Sequence, residues 1–237
     1  DMDLSIIKEK PKNRKEVLTF SKPDEKIKEV ISFVKNEIKN GNQIFWVCPL
    51  IEESKKIDHK SAMTTYNSLK KIFHNKVGII HSKIDQNKKE IILKNFLNKK
   101  FDILVSTTII EVGIDFPNAN IIIIENSNKF GLSQLHQLRG RIGRGSTQGK
   151  CILMFKKNLS QNAKKRIKIL KSSNDGFKIS EEDMKLRGYG DVLGFKQSGE
   201  KKYNLADPIL HEDLFKIAEN EVKRIEKTEK IYLSIKL

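Results

Sequence analysis

Cysteine is scarce in this chain of 237 residues. There are two, Cys48 and Cys151, far apart and each inside an apolar run. Neither stands at metal-ligand spacing from another Cys or from any of the five histidines, so no metal site is expected. A disulfide framework is excluded as well, and two inert core thiols in a reduced, cytoplasmic protein are the natural reading. The longest apolar runs fall well short of the roughly 18 residues that a membrane helix needs, and no signal-peptide pattern is present. No membrane partner is therefore expected. The chain also lacks a G-x-x-x-x-G-K-[ST] phosphate loop. Gly143–Lys150 has glycines and a lysine, but at the wrong spacing and with Cys151 after the lysine. The main grip on a nucleoside triphosphate is thus missing.

Acidic residues are outnumbered, 30 against 46 Lys and Arg, for a formal net charge of +16. Such an excess suits a polyanionic partner, because each cation placed on a phosphate releases condensed counterions. The lysines often stand beside Asn and Ile, as at Lys35-Asn36 and Asn98-Lys99-Lys100. A Lys-rich composition that only maintains solubility is the other reading, and charge alone leaves both open.

Residues 1–20 have little periodicity and read as a connecting segment. Helix signals begin at Ser21-Lys22-Pro23, with Ser21 as a cap and Pro23 in the first turn. Ile27, Val30, Ile31, Val34 and Ile38 recur at helical spacing until Gly41. Strands are predicted at Gln43–Cys48, Val77–His81, Asp102–Thr107, Asn120–Glu125 and Lys150–Phe155. Helices are predicted at 53–74, 86–98 and Ser133–Arg139. Continuous Ile/Val strands alternating with helices imply an α/β fold, a mostly parallel sheet covered on both faces. Ligands of such folds gather at the carboxyl ends of the strands, here after Cys48, His81, Thr107 and Glu125. Beyond about residue 157 the pattern changes to a basic helix at 160–172, a breaker turn Ser173-Asn174-Asp175-Gly176, a helix at Ser180–Arg187, a glycine-rich loop, a helix at 208–227 and a short β-type tail. Two domains are expected, 1–156 and 157–237.

Gln134–Gly145 (QLHQLRGRIGRG) carries the densest chemistry. Arg139, Arg141 and Arg144 share seven residues with three glycines. Glycine lets backbone approach a ligand, and arginine offers a planar fork to phosphate oxygens. Arginines beside a nucleotide can stabilise charge that develops during phosphoryl transfer. Val105–Ala119 (VSTTIIEVGIDFPNA) is the second cluster. Its hydroxyls at a strand end can hold phosphate oxygens, and Asp115 can meet a ribose or an ordered water. A capped helix start followed by a turn reads equally well.

Gln137-Leu-Arg-Gly140-Arg141-Ile-Gly143-Arg144 resembles motif VI of superfamily-two helicases. That resemblance places Gln137, Arg141 and Arg144 against ATP as catalytic residues. Val105–Ala119 is similar to motif V, which implies a DNA-backbone contact for Thr107 and a place at the nucleotide cleft for Gly113 and Asp115. Trp46–Ser54 (WVCPLIEES) resembles motif IV in its RecG version. His81-Ser82-Lys83 takes the place of a Gly-bearing loop, with Ser82 and Lys89 replacing the usual Gly and Arg, and implies DNA contacts for His81 and Lys83. Glu125–Leu132 leads into motif VI as in RecG and the transcription-repair coupling factor.

The segment from Arg166 through Ser173-Asn174-Asp175-Gly176-Phe177 to Asp183–Gly199 is similar to the TRG hairpin and loop of RecG-type helicases. It implies coupling roles for Arg166, Arg187 and Gln197. Over nearly the whole chain the resemblance is to the C-terminal part of that family: a second RecA-like lobe followed by the TRG segment. It implies an ATP-dependent DNA helicase that remodels stalled forks and branched junctions. ATP and Mg2+ would be bound mainly by a first motor lobe, which, like a DNA-junction wedge domain, is expected upstream. Asp1-Met-Asp-Leu-Ser resembles the stretch after motif III, no DExH box is present, and the fragment alone is expected to be inactive. A transcription-repair motor lobe and a non-catalytic nucleic-acid-binding module are the rival readings.

Overall fold

The computed structural model describes residues 15–49, 55–107, 116–143 and 147–187, and beyond them positions 214, 217–218, 220–222 and 224–225, all helical. A six-stranded, all-parallel sheet organises the first of two compact units, Asp1–Asp183. Its strands are β1 (Leu18–Pro23), β2 (Gln43–Val47), β3 (Val77–Ile80), β4 (Ile103–Ser106), β5 (Ala119–Ile124) and β6 (Lys150–Phe155), in the order β1-β6-β5-β2-β4-β3. Helices α1 (Ile27–Lys39), α2 (Lys55–Phe73), α3 (Gln86–Leu97), α4 (Leu132–Arg139), α5 (Gln161–Ser172) and α6 (Gly176–Arg187) follow the strands. Met184–Leu237 forms the second unit, so the contact boundary falls inside α6.

The strands are buried from end to end because both faces are covered. On β5 every residue from Ala119 to Ile124 is buried. Ile121 and Ile123 join Ile44, Trp46, Val30, Val34 and Leu69 on the face covered by α1 and α2. On the other face Phe45, Phe96 and Phe116 meet ring to ring, with centroids 5.2 to 5.5 Å apart. The strand starts are tied by polar groups. Glu37 accepts from Lys150 at 2.6 Å and from Asn42 at 2.8 Å. Gln43, 2% exposed, donates to the carbonyls of Phe96 at 2.6 Å and Phe101 at 2.8 Å.

Two expectations need correction. Residues 18–23 are not the approach to a capped helix. They form strand β1, parallel to β6 from Leu18–Lys150 to Pro23–Phe155, and helix α1 starts only at Ile27, after a 3-10 turn. An edge strand with one neighbour leaves Leu18 and Phe20 exposed, so it has no continuous apolar run to betray it. Pro23 is tolerated at its end because an edge residue needs no second partner. Helix α6 likewise starts at Gly176, before the expected Ser180. The Asp175 carboxylate accepts from the Phe177 N–H at 2.9 Å and caps it. The expected β-type tail lies outside the described residues.

Gln43→Leu should take one donor from each of two carbonyls, Phe101 and Phe96, the latter keeping the Lys99 N–H at 3.0 Å, at a cost of about 1–3 kcal/mol. A thermal melt should show a midpoint several degrees lower, and an unchanged midpoint would mean that these carbonyls are already hydrated.

Candidate functional site

An all-parallel sheet collects its strand-to-helix loops on one edge. His81 follows β3 and Thr107 follows β4, and these strands are neighbours. The Thr107 N–H carries the ladder one step further to the Ile80 carbonyl at 3.4 Å. His81 Nδ1 accepts from the Lys83 N–H at 3.3 Å, and Asp85 caps α3 through the Asn87 N–H at 2.6 Å. The loop is thus held from within, with Lys83 exposed. Thr107 is 2% exposed, and its hydroxyl finds no hydrogen-bond partner among the described residues. A buried, unpaired hydroxyl is costly, and here it marks a strand end that suits an oxygen-bearing ligand. Gly113, Asp115, Arg144 and Gln197 lie outside the described residues, as does the Arg187 side chain.

Helix α4 carries the remaining described candidates. Leu132, Leu135 and Leu138 bury its inner stripe, which leaves Gln137 exposed. Gln134 Oε1 reaches back to the Gly131 N–H at 2.9 Å and fixes the helix start. Arg141, half-buried, follows the helix after one residue, the C-cap Gly140. Gly143 then takes φ +66°, and a Cβ there would lie 3.3 Å from the Gly149 backbone. The two glycines bring residues 143 and 149 backbone to backbone, where a side chain would push them apart.

Three polar anchors join α4 to α5 and α6. Arg139, 3% exposed, donates to the carbonyls of Leu170 at 2.6 Å and Ser173 at 2.9 Å, and lies 3.1 Å from His136 Nδ1. Burial pushes its pKa down. Arg166 donates from α5 to the Phe130 carbonyl at 2.6 Å and the Asn128 carbonyl at 3.3 Å, in the turn that enters α4. Ser133 donates to the Asp183 carboxylate on α6. The motif arginines therefore divide. Arg139 works inside the protein, a role that only its register with Leu135 and Leu138 could have revealed.

Glu125 is a second residue that the sequence left without a role. Just past β5 it accepts from Trp46 Nε1 at 2.7 Å, from the Thr65 hydroxyl at 3.1 and 3.3 Å, and from the Cys48 thiol at 3.6 Å. One carboxylate thus joins the end of β2, helix α2 and the turn toward α4. Burial raises its pKa, and these three donors oppose the shift without cancelling it. Both cysteines are free and buried. Burial raises the Cys48 thiol, helped by the neighbouring Glu125, and pushes Cys151 up to about 12, which makes both poor nucleophiles. No metal-holding cluster occurs among the described residues, and none of their helices is long and apolar enough to cross a membrane.

The model of the helicase conserved C-terminal domain matches residues 25–146. The chain belongs to this family. A second model, for domain 3 of the ATP-dependent DNA helicase RecG (C-terminal part), matches residues 173–232. The chain is 44% identical over 211 residues to the RecG helicase of Bacillus subtilis, covering 88% of this chain and 31% of that protein. It is 43% identical over 228 residues to that of Thermotoga maritima, covering 95% and 29%. A structure of RecG bound to a three-way DNA junction matches with a TM-score of 0.67 and 42% identity, over 87% of this chain and 26% of that one. A structure of S. cerevisiae Dbp5 at 17% identity and TM-score 0.51, covering 72% and 45%, shares the fold alone. The RecG resemblance of the motifs thus extends along nearly the whole chain, and the chain spans about a third of the length of the RecG relatives it matches.

The raised pKa of Glu125 sets a pH test. The folded protein holds that proton more tightly than the unfolded chain. The stability this confers is complete below the ordinary glutamate value of about 4.3 and is lost as pH rises through the raised folded value. Glu125→Gln cannot ionise. Melting curves from pH 4 upward should coincide with wild type at the acid end and gain on it as pH rises. A variant that loses ground with rising pH would mean that the carboxylate is stabilised by ionising.

Proposed function

We propose that this chain is the second motor lobe and coupling segment of a RecG-type ATP-dependent DNA helicase, which remodels stalled forks and branched junctions in repair and recombination. The observation that carries this reading is the threefold anchoring of α4, the motif VI helix, to the α5–α6 hairpin. A helix that meets nucleotide on its exposed side and a hairpin on its buried side can relay one to the other. The RecG names of the relatives favour this reading over the transcription-repair motor and over a non-catalytic module.

In this reading residues 1–156 form the motor lobe and 157–237 the TRG hairpin, loop and tail. A first motor lobe and a wedge domain of the same protein are the partners within the chain, in a cytoplasmic enzyme. ATP with Mg2+, held mainly by that first lobe, supplies the phosphoryl transfer that drives the cycle. Gln137, Arg141 and Arg144 offer donors toward the nucleotide, and the two guanidinium groups neutralise phosphate charge. Gly113 and Asp115 line the same cleft. Thr107, whose buried hydroxyl has no partner among the described residues, and His81 and Lys83 beside it hold the DNA backbone. Arg166, Arg187 and Gln197 transmit the displacement of α4 to the DNA.

In the full-length protein, Arg141→Ala or Arg144→Ala should lower DNA-stimulated ATPase by about 10³–10⁵-fold and leave nucleotide binding largely intact. Turnover within a few-fold of wild type for both would overturn the motif VI assignment. Arg166→Ala, Arg187→Ala and Gln197→Ala should retain ATPase and lose fork unwinding, measured side by side on the same preparations. A parallel fall of both activities would reduce the hairpin to a brace.

A further inference from the structure

Helix α5 has a third face that none of these roles uses. Its sequence from Gln161 to Ser172, QNAKKRIKILKS, contains no acidic residue. Ala163, Ile167 and Leu170 bury its inner stripe, and Arg166 reaches from one flank to the turn before α4. Lys164, Lys168 and Lys171 occupy the other flank at i, i+4 and i+7, all exposed. They rim a cleft of about 360 Å³ whose remaining lining is Ser21, Phe155, Leu159, Ile167 and Ser172.

Several lysines near the cleft are already paired. Lys22 and Lys26 pair with Glu29, and Lys157 pairs with Glu25. Lys164, Lys168 and Lys171 form no ion pair with a described residue, and no carboxylate lines the cleft. Ammonium groups and two hydroxyls thus stand over an apolar floor. That combination suits a sugar–phosphate backbone, with phosphate oxygens on the lysines and Ser21 and deoxyribose on Phe155 and Leu159, while the Ser172 hydroxyl donates to the Ile169 carbonyl. Lysines are point charges and read no sequence, so such a contact positions nucleic acid without specifying it. From Lys164 to Lys171 the helix rises about 10 Å. Duplex DNA carries one charge per about 1.7 Å of its axis, so that span faces several phosphates.

We propose that the Lys164–Lys168–Lys171 face of α5 is a binding surface for the backbone of duplex DNA. The choice of DNA among polyanions rests on the proposed helicase function; the face itself rests on the charge pattern and the cleft. The surface lies on the opposite flank of α5 from Arg166 and apart from Thr107, His81 and Lys83 at the ends of β3 and β4.

The test uses the 237-residue chain without nucleotide, so it is independent of the ATPase measurements. A triple variant, Lys164→Ala with Lys168→Ala and Lys171→Ala, is compared with a charge-matched control, Lys28→Ala with Lys35→Ala and Lys39→Ala. The control lysines are exposed on α1, across the sheet. Binding to a blunt duplex and to a single strand of the same length is titrated against salt, with a melting curve for each protein. The α5 variant should weaken duplex binding at least tenfold at low salt. It should also flatten the log–log salt slope by about 2–3, close to 0.9 per lost phosphate contact. The control should change little, and melting should be unchanged because no ion pair is removed. Equal losses from both variants would mean that net charge alone matters. No loss from the α5 variant, a loss confined to the single strand, or a wild-type chain that does not bind duplex would each overturn the proposal.

Discussion

A buried guanidinium is expensive unless its donors are met, since even after relaxation an unpaired ion in a protein interior costs several kcal/mol. Arg139 solves this with the end of a helix. The Leu170 and Ser173 carbonyls that accept from it belong to the last turn and terminus of α5, where main-chain acceptors lack intrahelical partners. The negative end of the helix dipole lies there too and favours a cation. One charge therefore meets the helix end's requirement while the helix end meets the requirement of the charge. The consequence is positional: α5 must stop where Arg139 can reach it, and the turn that starts α6 follows within three residues. Ser133 with Asp183, and Arg166 with the Asn128 and Phe130 carbonyls, then fix the remaining freedom of the hairpin against α4.

What could be read from the sequence follows from burial. Strands β2 to β6 announced themselves as apolar runs because a parallel sheet covered on both faces buries every residue of a strand. Strand β1 did not, because an edge position asks for alternation at most and tolerates Pro23. The carboxyl-end rule pointed to the loops after Cys48, His81, Thr107 and Glu125, and those positions do end or follow neighbouring parallel strands. It could not assign Glu125, whose meaning depends on Trp46 and Thr65, contacts that span 79 and 60 residues. Arg139 was hidden differently. It sits inside a motif whose Arg141 is only half-buried, and only the three-dimensional register of α4 turns Arg139 inward.

That register gives α4 two faces in one short sequence. Gln137 is exposed while its neighbours Leu138 and Arg139 are buried, and Arg141 is half-buried two residues past the helix end. An eight-residue helix is too short to bend between these positions. Anything that shifts the exposed side therefore shifts the buried side as a rigid body, together with the α5 carbonyls that hold Arg139. This is coupling through a packed element, which needs two arrangements of that element and no chain of separate signals.

Helix α5 extends the same reasoning outward. Its buried stripe lies against the lobe, its Arg166 flank grips the entry to α4, and its opposite flank carries Lys164, Lys168 and Lys171. Three functions on three faces are compatible only if the helix moves little relative to α4. The anchors at Arg139 and Arg166, near the two ends of α4, supply that constraint. A displacement of α4 produced by lobe closure would then reach the lysine face undiminished, without passing through any flexible segment.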